Sequence, residues 1–151
     1  MTSGKINDRV VVQRVQWIKQ MREAIKDLPI QDKKEFLQNP HNVAAAESYL
    51  RRALEALFDI GRHILARKFA YPAAEYKEIA NGLFEKGILS RKDADLLRQM
   101  AGYRNRMVHF YHEISAEELF DICAHHLDEI QLLCNRLVSR LRKPKKDNPI
   151  R

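Results

Sequence analysis

The sequence predicts an all-α protein, an antiparallel bundle of four to five main helices. Apolar residues recur at the spacing of three and four that one face of an α-helix requires, and no stretch alternates as a strand would. Gly and Pro number only five each in 151 residues, so few points interrupt the helices. A chain of this length suits one domain, which we assign to residues 1–142, followed by a basic flexible tail at 143–151.

The first predicted helix begins after Asn7, a residue type that caps helices, and ends before Pro29. Its buried stripe consists of four apolar residues at helical spacing: Val11, Val15, Ile18 and Ile25. Residues 28–42 are interpreted as a connection that contains a short helix in "QDKKEFLQ".

A long central helix follows, because small and branched apolar residues keep the helical rhythm for about five turns. These residues are Ala46, Leu50, Ala53, Leu57, Ile60 and Ile64. Tyr71 and Pro72 then break the chain and start a helix in "AAEYKEIANGLFEKG", whose closing Gly87 fits a helix stop.

Two start signals of the capping-box type predict the remaining helices, Ser90 with Asp93 and Ser115 with Glu118. The first of these helices is expected to span residues 91–112. The second is predicted to be one continuous helix to the end of the domain. Its apolar stripe is heptad-like: Leu119, Ile122, His126, Ile130, Leu133, Leu137 and Leu141.

Composition favours a cytoplasmic protein with a polyanionic partner. The formal net charge is +7, and a positive charge of this size attracts polyanions such as RNA. No apolar run approaches the roughly 18 residues of a membrane span, and the start lacks the apolar stretch of a signal peptide. Cys123 and Cys134, on the same predicted helix, would lie about 16 Å apart along its axis and could not form a disulfide within one chain.

The most informative stretch is "GYRNRMVHFYHE", residues 102–113. On a continuous helix, Tyr111 returns to within about 20° of Arg104, whereas His109 lies roughly 140° from Arg104. His109 and Arg104 would then meet only if the arginine bends over the surface or a second chain completes the site. Arg106 and His112 are candidate substrate contacts.

These residue types suit cleavage of RNA by its own 2′-hydroxyl, a route that needs no metal and no cofactor. His109 would transfer the proton, Arg104 would hold the phosphate oxygens as charge develops, and Asn105 would orient the imidazole or donate to the phosphate. One histidine cannot be base and acid in the same step. A two-fold homodimer would solve this by placing both copies of His109 in one cleft.

The Arg-x4-His-x-Tyr pattern of Arg104, His109 and Tyr111, with "MAGYRN" before it, resembles HEPN-domain proteins of the HepT-like toxin family. Further similar segments frame it over roughly residues 8–140: "ESYLRRALEALFDIGRHILA", "YPAAEYKEIANGLFEKGILSRKDADLLRQMAGYRNRMVH" and "SAEELFDI". The resemblance implies a homodimeric, metal-independent ribonuclease, the toxin of a toxin–antitoxin pair. It also implies an MNT-type nucleotidyltransferase partner that attaches AMP to Tyr111.

Other interpretations remain open for the same residues. A non-catalytic helical dimer could use Arg104 and His109 to bind a nucleotide, RNA or a partner protein. Tyr111 could serve the core or an interface, and Tyr76 is expected to pack rather than to stack on bases. A metal site of His109 with its neighbours at 112 and 113 would lack an outlying fourth ligand.

Overall fold

The computed structural model describes residues 5–109 and 114–142. These residues form seven helices and no strand, which confirms the predicted fold class. In chain order the helices are α1 (Asp8–Lys26), α2 (Lys33–Gln38), α3 (Pro40–Phe69), α4 (Tyr76–Glu85), α5 (Arg91–Val108), α6 (Ala116–His125) and α7 (Leu127–Arg142). Within the described ranges, no helix combines the length and apolarity that crossing a bilayer takes.

The core is built around α3, which contacts all six of the other helices. Every residue of its predicted stripe is fully buried: Ala46, Leu50, Ala53, Leu57, Ile60 and Ile64. Phe58 is fully buried as well and belongs to the same cluster. The prediction of a central core helix is therefore confirmed.

Three predicted helix starts are confirmed by their caps. Asn7, Ser90 and Ser115 each accept a hydrogen bond at 3.1 Å from a backbone N–H in the first turn of α1, α5 and α6. These caps satisfy N–H groups that a helix start leaves without an intrahelical partner, two at Asn7 and one each at Ser90 and Ser115.

Two other starts differ from the prediction. The connection does not extend to residue 42, because Asn39 caps α3 and Pro40 occupies its first turn, where proline loses no intrahelical hydrogen bond. The helix after Pro72 begins only at Tyr76, because Glu75 and Glu78 form a reciprocal capping box there. The three residues of "AAE" thus precede α4 and do not belong to it.

The prediction of one continuous last helix is wrong, since α6 and α7 are separate helices on either side of His126. The backbone groups of His126 keep their hydrogen bonds at the break. The His126 N–H donates to the carbonyl of Ile122 at 2.8 Å, and the His126 carbonyl accepts from the N–H of Glu129 at 3.1 Å. Both helices bury their stripes in one core, so the apolar pattern runs through the break. Cys123 and Cys134 lie on different helices, and both are free and buried.

Two glycines allow α4 to approach α3 closely. A Cβ atom on Gly61 would lie 2.9 Å from Ile79, and one on Gly82 would lie 2.8 Å from the ring of Tyr71. Both distances are shorter than a side chain tolerates. The close approach positions the start of α4 beside the end of α5.

Candidate active site

All three predicted catalytic residues line one cleft of about 340 Å³: Arg104, Asn105 and His109. Arg104 and Asn105 belong to the last turns of α5, and His109 follows that helix directly. The opposite wall comes from the start of α4 and the residues before it. Its members are Ala74, Glu75 and Tyr76.

His109 reaches this cleft because α5 ends at Val108, so the predicted helix over 91–112 is too long. The backbone of His109 is extended, with φ −97° and ψ 115°, although its N–H still donates to the carbonyl of Asn105 at 3.0 Å. The predicted separation of roughly 140° from Arg104 applies only to a helical residue. The sequence after Arg106 favours this end, because β-branched and aromatic residues there have low helix propensity.

Two neighbours hold the guanidinium of Arg104. Its Nε and Nη2 both donate to Oε2 of Glu55 on α3, each at 3.2 Å. Its Cζ atom lies 4.3 Å from the ring centroid of Tyr76, which is a cation–π contact. The Arg104 side chain keeps 25% of its surface exposed, so it is anchored but open to a ligand.

Tyr76 is in turn packed on the core. Its ring stacks on Phe58 at 4.7 Å between centroids, with an angle of 15° between planes, which confirms that Tyr76 packs. Burial raises the pKa of its phenol, as Glu55 does to a smaller extent, while Arg104 acts in the opposite direction. The phenol is therefore neutral at physiological pH, and its ring is a fixed platform beside Arg104.

Arg106, a predicted substrate contact, forms a bidentate ion pair with Glu118 at 2.7 and 2.8 Å. The hydrogen bonds from Arg106 lower the pKa of the Glu118 carboxyl, and the same contact raises the pKa of Arg106. The pair connects the end of α5 to the first turn of α6. A role of Arg106 in substrate contact stays a prediction.

Tyr111 and His112 lie outside the described residues, as does Glu113 of the alternative metal site. Sequence reasoning missed Glu55 and identified Tyr76 only as a packing residue. No local pattern points to Glu55, because its contact with Arg104 joins residues 49 positions apart. The only signal for Tyr76 in the sequence was its aromatic ring close to Pro72, where the helices are interrupted.

The fold is shared with several solved helical proteins. A solved structure described as the tri-AMPylated HEPN toxin of Shewanella oneidensis in complex with MNT antitoxin aligns with a TM-score of 0.79 and 22% identity. The alignment covers 88% of this chain and 98% of that one. YutE of Bacillus subtilis, described as a cytosolic protein of unknown function, aligns with a TM-score of 0.75 and 17% identity. This alignment covers 97% of this chain and 96% of YutE.

The family model described as Ribonuclease HepT-like matches residues 17–137. The protein belongs to this Ribonuclease HepT-like family. It is 27% identical over 82 residues to the mRNA nuclease HepT of Shewanella oneidensis. That match takes in 54% of this chain and 62% of the relative, so the chain covers less than two thirds of the relative's length.

Proposed function

We propose that the protein is the toxin of a toxin–antitoxin pair and acts as a metal-independent endoribonuclease. The observation that supports this most directly is the common cleft of Arg104, Asn105 and His109, with the arginine anchored beside it. Membership of the HepT-like family and similarity to a protein named mRNA nuclease add support.

In the proposed reaction, the 2′-hydroxyl oxygen of RNA attacks the adjacent phosphorus, and the bond from phosphorus to the 5′-oxygen breaks. The products are a 2′,3′-cyclic phosphate and a 5′-hydroxyl end. His109 accepts the 2′-hydroxyl proton when neutral, or donates a proton to the leaving oxygen when protonated. Arg104 stabilises the charge on the phosphate, and Asn105 donates to a phosphate oxygen or orients the imidazole.

We further propose a homodimer, because each chain offers one His109 to a reaction with two proton transfers. Two copies of the cleft that face each other across a two-fold axis would supply one histidine for each transfer. Either copy of Arg104 would then contact the phosphate between them.

Incubation of the purified protein with RNA in EDTA tests this function. We expect cleavage, products with 2′,3′-cyclic phosphate ends, and loss of activity in His109→Ala and Arg104→Ala. Arg98→Ala, an equal truncation elsewhere on α5, is the matched control and should cleave normally. An RNA with blocked 2′-hydroxyls should resist the protein, and its cleavage would contradict the proposed route. An intact protein that binds RNA without cutting it would instead indicate a binding module.

The proposed partner is an MNT-type nucleotidyltransferase that adenylylates Tyr111. Support comes from the similar HEPN toxin, which is described as tri-AMPylated and in complex with MNT antitoxin. Tyr111 follows His109 by two residues, and an adenylyl group there brings a phosphate that competes with RNA for positive charge.

Tyr111→Phe keeps the aromatic ring and removes the acceptor oxygen. When the variant is produced with the partner and ATP, we expect no added adenylyl mass and persistent inhibition of growth. Mass spectrometry of the wild-type chain should place the modification on Tyr111. A wild-type chain that is neutralised with the modification on another residue would contradict this proposal.

A further inference from the structure

Glu55 lies outside the motif of α5, yet it accepts both described hydrogen bonds of the Arg104 guanidinium. We infer that Glu55 is a positioning residue, which turns the free edge of Arg104 toward the RNA phosphate. This inference rests on the ribonuclease function proposed above and adds a residue of α3 to that site.

The geometry of the guanidinium explains the role. Arginine has five N–H groups in a planar fork, and two edges of the fork match a pair of oxygens. Glu55 occupies the edge formed by Nε and Nη2. The remaining edge, formed by Nη1 and the second N–H of Nη2, is left for two phosphate oxygens.

Glu55 and Tyr76 fix different degrees of freedom of the Arg104 side chain. Contact with the Tyr76 ring, at 4.3 Å from the centroid, restricts the tilt of the guanidinium. The hydrogen bonds to Glu55 restrict rotation of the guanidinium within its own plane and the extension of the Arg104 side chain. Without Glu55 the charge would remain at the cleft, but its orientation would vary.

Glu55 is itself held in place. It lies on the central helix between fully buried neighbours such as Leu54 and Leu57. Its other oxygen, Oε1, is 3.7 Å from Nη1 of Arg51. Each oxygen of the Glu55 carboxylate therefore has an arginine beside it, which fixes the orientation of the carboxylate.

Glu47 provides a matched control on the same helix. Its Oε2 lies 3.7 Å from Nε of Arg51, and its side chain is 37% exposed against 31% for Glu55. Among the described ion pairs of Glu47, none involves Arg104. Glu47→Ala thus removes an equivalent carboxylate and leaves the Arg104 anchor intact.

The test measures RNA cleavage under single-turnover conditions at several protein concentrations, which separates rate from affinity. Glu55→Ala should lower the maximal rate about 10- to 100-fold, the range expected for a misplaced catalytic group. Glu55→Gln should stay close to wild type, because its amide oxygen still accepts both N–H bonds. Glu47→Ala should cleave like the wild type.

A second measurement follows the Nε–H of Arg104 by ¹⁵N relaxation and does not depend on activity. This group should be rigid in the wild type and in Glu47→Ala, and mobile in Glu55→Ala. An unchanged order parameter in Glu55→Ala would overturn the inference.

The kinetic outcomes separate this inference from the proposed function. A wild-type protein without cleavage would refute the ribonuclease itself. An active wild type with an equally active Glu55→Ala refutes only the positioning role. A Glu55→Ala protein that binds RNA more tightly at an unchanged maximal rate would show Glu55 competing with RNA instead. If Glu55→Gln is as slow as Glu55→Ala, the negative charge of Glu55, and not its orientation of Arg104, controls the rate, and the positioning role is refuted.

Discussion

At the scale of residues, the site depends on the shape of arginine as well as on its charge. Arg104 uses one edge for Glu55 and one face for Tyr76. A lysine ammonium is a compact point charge, so it could not bind Glu55 along one planar edge and offer a second edge to a phosphate. The shape of arginine therefore suits both contacts at once.

Substitution of Tyr76 tests the platform. Tyr76→Phe retains the stack on Phe58 and the contact with Arg104, so we expect cleavage close to that of the wild type. Tyr76→Leu removes the ring and should slow cleavage about 10-fold or more. It should also lower the free energy of unfolding by about 1 kcal/mol through the lost aromatic pair. Cleavage assays and urea denaturation would measure both effects, and an equal loss of activity in Tyr76→Phe would show that the hydroxyl is required.

The sequence alone predicted Arg104, Asn105 and His109 as site residues, because their residue types suit the chemistry and their spacing is short; the structure places all three along one cleft. Glu55 and Tyr76 could not be identified in this way. Their contacts with Arg104 depend on how α3 and α4 pack against α5, and amphipathic patterns define a buried face without naming its partner.

At the scale of elements, three helix starts were predicted correctly from their capping residues, whereas the starts of α3 and α4 and the end of α5 were not. A capping side chain such as that of Ser90 or Ser115 favours a helix start at its own position, because it accepts a hydrogen bond from the first turn. The end of α5 and the break at His126 carry no glycine or proline. They follow instead from weak helix propensity and from tertiary packing, which single-residue signals do not encode.

The Arg106–Glu118 pair connects two elements, and its effect on stability is predicted to depend on pH. The pKa of Glu118 is lowered in the folded protein, so its contribution is present above the ordinary carboxyl pKa and disappears as pH falls through the lowered value. At pH 7, Glu118→Gln should lower the free energy of unfolding by about 0.5–1 kcal/mol, a small amount because the pair is partly exposed.

Urea denaturation at pH 7 and at about pH 3 would test this expectation. The difference between wild type and Glu118→Gln should shrink in acid. Glu117→Gln is the matched control, since it removes a carboxylate from the same first turn of α6. An equal effect of both variants at pH 7 would show that helix-end electrostatics, and not the contact with Arg106, is responsible.

At the scale of the whole molecule, the bundle and its central helix were predictable, but the arrangement of helices was not. Gly61 and Gly82 illustrate the difference. In the sequence they are isolated glycines within helices, whereas in the fold they allow α4 to lie close against α3. In the same arrangement Tyr76, at the start of α4, contacts Arg104 of α5.

The proposed dimer leads to a prediction for mixed chains. Neither His109→Ala nor Arg104→Ala should cleave RNA alone, but a mixture that exchanges subunits should recover part of the activity. Each mixed dimer then holds one intact histidine and one intact arginine in the shared cleft, so one of the two proton transfers is still catalysed and only part of the rate should return. Cleavage assays with light scattering would measure activity and mass together. A monomeric mass combined with no recovery would contradict the shared site.

The end of α5 makes the site sensitive to a helix–coil equilibrium. One further helical residue at position 109 would rotate the imidazole by roughly 140° from Arg104 while every reactive group remained present. A helical His109 would thus no longer face Arg104 of its own chain. Cosolvents that extend helices, such as trifluoroethanol, are expected to inactivate the protein at concentrations where the bundle is still folded. A ligand that favours helix at this boundary would inhibit without occupying the cleft.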